Sequence, residues 1–290
     1  MSHRRRRTAA VALAVAVGLS LAACGSSSDN GGSGGAAGAG KDKQSVAKGG
    51  KDFGSAGDKT AAMGTDAKPG QWPRTVTHAM GSTVIPAQPT RVVVLDVGEL
   101  DNVVSLGVRP VGYAPTEGSP ELPSYLRAAG GHPKSVGTIN SLNLEAIAGL
   151  HPDLILGSQL RAAPQYAALS KIAPTVFSVR PGYTWKQNYL LNAAALDRTA
   201  QAEAKLAEYD GKVEELDAAL GTKRPVVSMV RYMQDGKTRL YGNQSFIGTI
   251  LEDAGITRPA NQDIDDLAAE ISAENIDQAD GDASEHQPGQ

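Results

Sequence analysis

The only cysteine of the chain, Cys24, closes the run Leu21-Ala22-Ala23-Cys24, behind Arg4-Arg5-Arg6-Arg7 and an apolar stretch from Ala9 to Ala23. A basic start, a short apolar core and small residues before a cut point have the anatomy of a bacterial export signal. The apolar run is shorter than the roughly 20 residues that a spanning helix needs. The chemistry expected of Cys24 is therefore acylation: residues 1–23 are removed, and a lipid on the sulfur of the new first residue anchors the chain. That use leaves no thiol for a nucleophile, a disulfide framework or a cysteine zinc site.

Catalysis finds no other carrier. The one G-x-S-x-G match, Gly31-Gly32-Ser33-Gly34-Gly35, lies in a glycine-rich stretch and not at a strand-to-helix elbow, and there is no H-E-x-x-H and no phosphate loop. His78, His132 and His151 fall in hairpin, loop and turn contexts without metal-ligand spacing, and His78 reads as a strand residue. What remains is binding by cations and aromatic rings, which requires a scaffold that brings them together.

The scaffold is legible in composition first. The chain has 290 residues, of which 41% are hydrophobic and 20% charged, with a formal charge of −3. These values exclude a chain disordered throughout, a polytopic membrane protein and a general nucleic-acid binder. Thirteen of the 33 glycines lie between Gly25 and Gly70, so residues 24–73 read as a flexible tether, and folding is expected to begin near Arg74.

From there, β-prone runs around Gly81 predict a hairpin, and Arg91-Val92-Val93-Val94-Leu95-Asp96 reads as a strand buried on both faces. Helix and strand then alternate: Glu99–Leu106 stopped by Gly107, the strand 110–113, a helix at 142–150, the strand 153–157, a helix after Pro164 and the strand 174–179. Such alternation predicts a parallel α/β lobe over 74–187. The span 188–220 has no internal proline and carries Leu206, Tyr209, Val213, Leu216 and Leu220 at steps of three and four. It predicts one long connector helix, roughly 50 Å counted from Lys186 at 1.5 Å per residue. A second α/β lobe is expected over 221–290, starting with the strand 225–232. The polar tail Ala283-Ser284-Glu285-His286-Gln287-Pro288-Gly289-Gln290 offers no strand pattern, so this lobe is expected to be incomplete.

Taken in order, the pieces resemble the extracytoplasmic substrate-binding lipoproteins of ABC importers for ferric siderophores, haem and cobalamin. The resemblance runs over residues 74 to about 282. It rests on the Leu21–Cys24 motif, the hairpin followed by Pro89-Thr90-Arg91-Val92-Val93-Val94-Leu95, and Leu106-Gly107-Val108-Arg109-Pro110-Val111-Gly112. Asn143-Leu144-Glu145-Ala146-Ile147 with Pro152-Asp153-Leu154-Ile155, the connector, and Arg239-Leu240-Tyr241-Gly242 before Ser245-Phe246 complete it. It implies two Rossmann-like lobes joined by a stiff helix, a ligand held in the cleft, and no catalysis or cofactor. An internal echo agrees: Glu145 precedes Asp153 by eight residues, as Glu274 precedes Asp282. The resemblance assigns Glu145 and Glu274 to docking on arginines of the permease dimer, a pairing that is planar and orientation-fixing. The bland reading of both is an exposed helix-start acid favoured by the helix dipole.

A ferric siderophore is bulky and oxygen-rich, so its receptor needs convergent cations and aromatic platforms with no bond to iron. Arg161 just past the strand 153–157, and Arg231 with Tyr232 at the end of the strand 225–232, lie at cleft-facing strand ends by analogy with open α/β sheets. Tyr183 and Trp185 precede the connector, where the family also lines its cleft. Tyr241, Ser245 and Phe246 are the second-lobe candidates. The expected partners are a ferric siderophore, a permease dimer and, through the lipid alone, the membrane. The receptor is expected to be monomeric and to bind no nucleic acid. Cobalamin, haem or bare metal as ligand, and a truncated receptor without function, are the alternatives.

Overall fold

The structure, a computed structural model, describes residues 49–50, 53–233 and 236–287; the expected export signal, Cys24 and the glycine-rich stretch as far as residue 48 lie outside them. Order begins earlier than Arg74. Phe53–Ser55 form a single 3-10 turn that runs into helix α1, Ala56–Ala61, and Phe53, Ala56 and Thr60 are buried. Gly64 then bridges to Thr77. The glycines hide this anchorage because one aromatic and two small residues facing the body suffice to hold a short segment. The tether expected over 24–73 therefore does not extend through 53–73.

Strands β1 (Arg74–His78) and β2 (Gly81–Ile85) make the predicted antiparallel hairpin. The central sheet comprises β3 (Val92–Val94), β4 (Gly112–Tyr113) and β5 (Lys134–Ser135). After a small hairpin of β6 (Gly137–Thr138) and β7 (Ser141–Leu142), it is completed by β8 (Leu154–Ser158) and β9 (Thr175–Ser178). Its order is β5-β4-β3-β8-β9, parallel throughout. The unbroken valines of β3 serve two cores, because successive side chains leave opposite faces. Val92 and Val94 pack with Leu100, Val103 and Leu191, while Val93 packs with Ile147, Ile155 and Phe177. Helix α2 (Val97–Ser105) follows β3, its first turn capped by Asp96, whose carboxylate accepts from Val97 N at 2.7 Å. Helix α3 (Leu144–Gly149) leads into β8, and α4 (Gln159–Ala162) and α5 (Tyr166–Ile172) lie between β8 and β9.

The expected single connector helix is two. Helix α6 (Trp185–Leu196) is buried over most of its length, whereas α7 (Thr199–Leu220) buries only Ala202. They part at Asp197, which takes φ 59°. That left-handed residue is held by tertiary contacts that side-chain periodicity cannot report: its carboxylate pairs with buried Arg74 at 2.6 Å and accepts from Gly70 N at 2.7 Å.

The second sheet, β12-β11-β10-β13, consists of β10 (Val227–Tyr232), β11 (Lys237–Tyr241), β12 (Ala268–Ser272) and β13 (Ala283–Gln287), with helix α8 (Phe246–Asp253) between β11 and β12. It is mixed, not Rossmann-like. β10 and β11 are antiparallel because the turn between them is too short for a parallel crossover; β11 and β12 are antiparallel as well, and only β13 runs parallel to β10. The tail read as patternless thus forms a strand. An edge strand needs only one backbone ladder, so Ala-Ser-Glu-His-Gln can supply it without the apolar alternation that announces an inner strand. Val227 faces Ala283 as Val92 faces Leu154, and Asp282 accepts from Val226 N at 3.0 Å as Asp153 accepts from Thr90 N and Arg91 N at 2.8 Å. The internal echo in the sequence is an echo in the fold.

Candidate functional site

In an open parallel sheet, ligands collect beyond the carboxyl ends of the strands where the connection order reverses. Here the chain leaves β3 for β4 and β5 on one side and returns to β8 and β9 on the other, so the reversal lies between β3 and β8. Asp96 follows β3 and Arg161 follows β8, and their side chains meet across this point, Nε to Oδ2, at 3.2 Å. Arg161 keeps 25% of its side chain exposed. One helical turn beyond Asp96 lies Glu99, fully enclosed, with Oε2 lacking a hydrogen-bond partner among the described residues. Burial first, and the Asp96 charge second, push its carboxyl up to about 8, with Arg161 pulling weakly the other way. Glu99 is thus neutral at pH 7 and leaves the site less acidic than its composition suggests.

Beyond β9 come Arg180 and Tyr183. Arg180 is 5% exposed, and burial lowers its guanidinium to about 10, so it stays charged at neutral pH. Its backbone oxygen accepts from Thr184 Oγ1 and Asn188 Nδ2, both at 2.7 Å, which fixes the loop into α6. Its guanidinium lies 4.1 Å from the Phe53 ring centre and donates to the Gly49 carbonyl, while Tyr183 donates its hydroxyl to the Phe53 carbonyl. The Asp266 charge, from the loop before β12, weakly favours the charged Arg180.

Of the residues expected from sequence, Arg161 and Tyr183 stand at this edge. Trp185 and Phe246 also make structural contacts: Trp185 Nε1 donates to Thr249 Oγ1 at 3.0 Å, and its ring meets Tyr209 and Phe246 edge-to-face at 5.1 and 5.9 Å. With the Lys186–Asp253 pair at 2.9 Å they join α6 to α8. Phe246 is nevertheless 52% exposed. The Ser245 hydroxyl is consumed in capping α8, accepting from Gly248 N at 2.9 Å. Tyr241 lends its backbone carbonyl to the Arg258 guanidinium. Arg231 and Tyr232 end β10 as expected, opposite Arg239 and Thr238 of β11, and Arg239 bonds Glu270 at 2.8 Å. Glu145 and Glu274 are both exposed in the first turn of their helical segments.

Sequence reading missed Asp96, Glu99 and Arg180. The first was legible as a cap-type residue directly after an apolar strand, and the last as the charge before Pro181-Gly182 at the end of β9. His78 is a strand residue in the interior: Nδ1 lies 3.3 Å from Phe177 N, and burial lowers the ring to about 4. Among the described residues no group of three or more His, Cys, Asp or Glu is placed to hold a metal ion. A concavity of about 550 Å³ lies elsewhere, along 62–67, 71, 73–75 and 77. Its arginine, Arg74, is already committed to Asp197 and the Ala194 carbonyl, so it offers a ligand no open cation.

The sequence over residues 92–284 matches the family model described as periplasmic binding protein. The chain belongs to this family. Among its relatives is the probable siderophore-binding lipoprotein YfiY of Bacillus subtilis, 39% identical over 191 residues, which are 65% of this chain and 58% of the relative. The Fe(3+)-citrate-binding protein YfmC of the same organism is 30% identical, over 72% of this chain and 66% of its own length. The chain thus spans less than two thirds of either relative. Staphylococcus aureus SirA, solved in complex with staphyloferrin B, superposes with a TM-score of 0.67 at 32% identity, over 74% of this chain and 76% of SirA.

Proposed function

We propose that the protein is the extracytoplasmic receptor of an ABC importer, capturing a ferric siderophore and delivering it to the permease without chemistry of its own. The observation that carries the proposal is the cation pair Arg161 and Arg180, with Tyr183, gathered at the carboxyl edge of a parallel sheet beside its reversal point. YfiY, YfmC and SirA, whose names join them to siderophores or ferric citrate, support the choice of ligand class.

The two sheets are read as two lobes facing one cleft, with α7 as the strut between them and Arg231, Tyr232, Tyr241 and Phe246 on the far wall. Two guanidiniums serve such a ligand because each offers fixed forks of donors to carboxylate, catecholate or hydroxamate oxygens while iron keeps its own ligands. Asp96 holds Arg161 in place, and neutral Glu99 avoids adding a second negative charge against an anionic ligand. Glu145 and Glu274 are the docking acids, one from each lobe, and Cys24 carries the lipid that keeps the receptor at the outer face of the membrane.

The test is thermal unfolding of the chain from Gly49 onward with ferric siderophores, their iron-free forms, haem and cobalamin. A ligand that binds only the native state adds about 2.7 kcal/mol at a hundredfold excess over Kd. A midpoint raised by a ferric complex and not by its iron-free form supports the reading. A midpoint raised by haem or cobalamin alone reassigns the ligand, and one raised by none rejects a receptor role for this chain.

A further inference from the structure

We propose that the segment carrying Phe53 is an internal competitor for the ligand, a strap that occupies Arg180 and Tyr183 and must leave them when a ferric siderophore binds. This rests on the reading of the sheet edge as the ligand site. The strap gives Arg180 an aromatic face at 4.1 Å and the Gly49 carbonyl, and gives the Tyr183 hydroxyl the Phe53 carbonyl. The Phe53 and Tyr183 rings pack edge-to-face at 5.2 Å. Oxygen acceptors beside an apolar face are the chemistry that a ferric siderophore presents, so the strap mimics the ligand's surface.

The strap and a ligand compete for the same face of Arg180. Arg180 is 5% exposed with the strap in place, and the Phe53 ring covers its guanidinium at 4.1 Å, so a bulky complex that takes this face must displace the ring. The fixed end is α1, which buries Ala56 and Thr60 and packs toward α6; the tip at Phe53 belongs to neither hydrophobic cluster of the central sheet. Departure of the tip therefore costs the strap's own contacts and leaves the body intact. Gly49 is built into the closed form: its φ is +77°, and a Cβ there would collide with the Phe53 ring. A closed strap lowers apparent affinity by the fraction of molecules that stand open. It also joins the ligand site to the segment that leads back to Cys24.

The test compares the chain from residue 24 onward, without its lipid, with its Phe53→Gly and Gly49→Ala variants, none of which alters Arg180 or Tyr183. Affinity for a ferric siderophore is read by tryptophan fluorescence, and amide exchange over 53–61 is followed with and without ligand. The expected result is about tenfold tighter binding by both variants, corresponding to one strap contact of 1.4 kcal/mol. Amides near Phe53 should also lose protection in the ferric complex of the unaltered chain. Equal or weaker binding by both variants, or undiminished protection in the complex, overturns the strap and leaves the receptor reading standing. Failure of all three forms to bind any ferric siderophore overturns the receptor reading, and the strap's role as competitor falls with it.

Discussion

Arg180 and Arg161 differ in what surrounds them, and the difference sets what each substitution does. Arg161 is paired with Asp96 and partly open to water, whereas Arg180 is enclosed and holds an aromatic ring. Removing either cation should weaken ferric siderophore binding by roughly 10- to 100-fold, since charge-assisted hydrogen bonds contribute about 1.5–3 kcal/mol each. Arg161→Gln should also leave Asp96 buried without its partner and lower the unfolding midpoint. Titration of both variants with one ferric complex, beside their melting curves, separates lost binding from lost stability. Glu99 gives a pH prediction with a definite sign. Its carboxyl is raised from 4.5 to about 8 in the fold, so its protonated form favours folding below the unfolded value. Stability then falls as pH rises from about 4.5 to 8 and levels off above. Glu99→Gln should flatten that fall and melt above the unaltered chain at pH 8. Melting curves at pH 5, 6.5 and 8 check it, and a steeper fall in the variant would contradict the assignment.

At the scale of elements, two carboxylates do matching work at the base of the two sheets. Asp153 accepts from Thr90 N, Thr90 Oγ1 and Arg91 N, while Asp282 accepts from Val226 N. Asp153→Ala should therefore destabilise by about 2–3 kcal/mol, and Asp282→Ala by about 1 kcal/mol. Denaturant midpoints of the two variants give the ratio directly. The break at Asp197 is the other testable element. Asp197→Ala strips the ion pair from buried Arg74 and leaves a β-carbon in a left-handed residue, so a loss of about 3–5 kcal/mol is expected. A melting curve unchanged by Asp197→Ala would show that Arg74 finds other partners. Neither partner of this pair was legible as such, because Arg74 and Asp197 are distant in sequence and meet only when α6 packs beneath the hairpin. The continuous burial of β3 and the hairpin before it were legible, since both are periodicities of adjacent residues.

At the scale of the molecule, delivery and capture should be separable. Glu145→Arg with Glu274→Arg, both exposed and remote in sequence from Arg161, Arg180 and Tyr183, should leave siderophore affinity unchanged. The same pair should abolish stimulation of the permease's ATP hydrolysis in proteoliposomes, because carboxylate-to-arginine docking becomes repulsion. Full stimulation by the double variant would return both residues to ordinary helix-start acids.

Legible in the residues alone were the α/β class, the parallel character of the first sheet with its alternation over 74–187, the family, and the echo between Glu145–Asp153 and Glu274–Asp282. Each is written in near neighbours or in short motifs, and local periodicity follows from backbone geometry alone. Tertiary structure decided the rest. It placed Asp96, Glu99 and Arg180 near Arg161, gave Trp185 and Ser245 hydrogen-bond partners in α8, broke the long helix at Asp197, and drew Phe53 out of a glycine-rich stretch onto a buried arginine. It also made a strand of the polar residues 283–287, which pair with β10 through backbone groups common to every sequence. Those outcomes depend on which distant surfaces meet, and burial, ion pairing and ladder formation take their energies from that meeting.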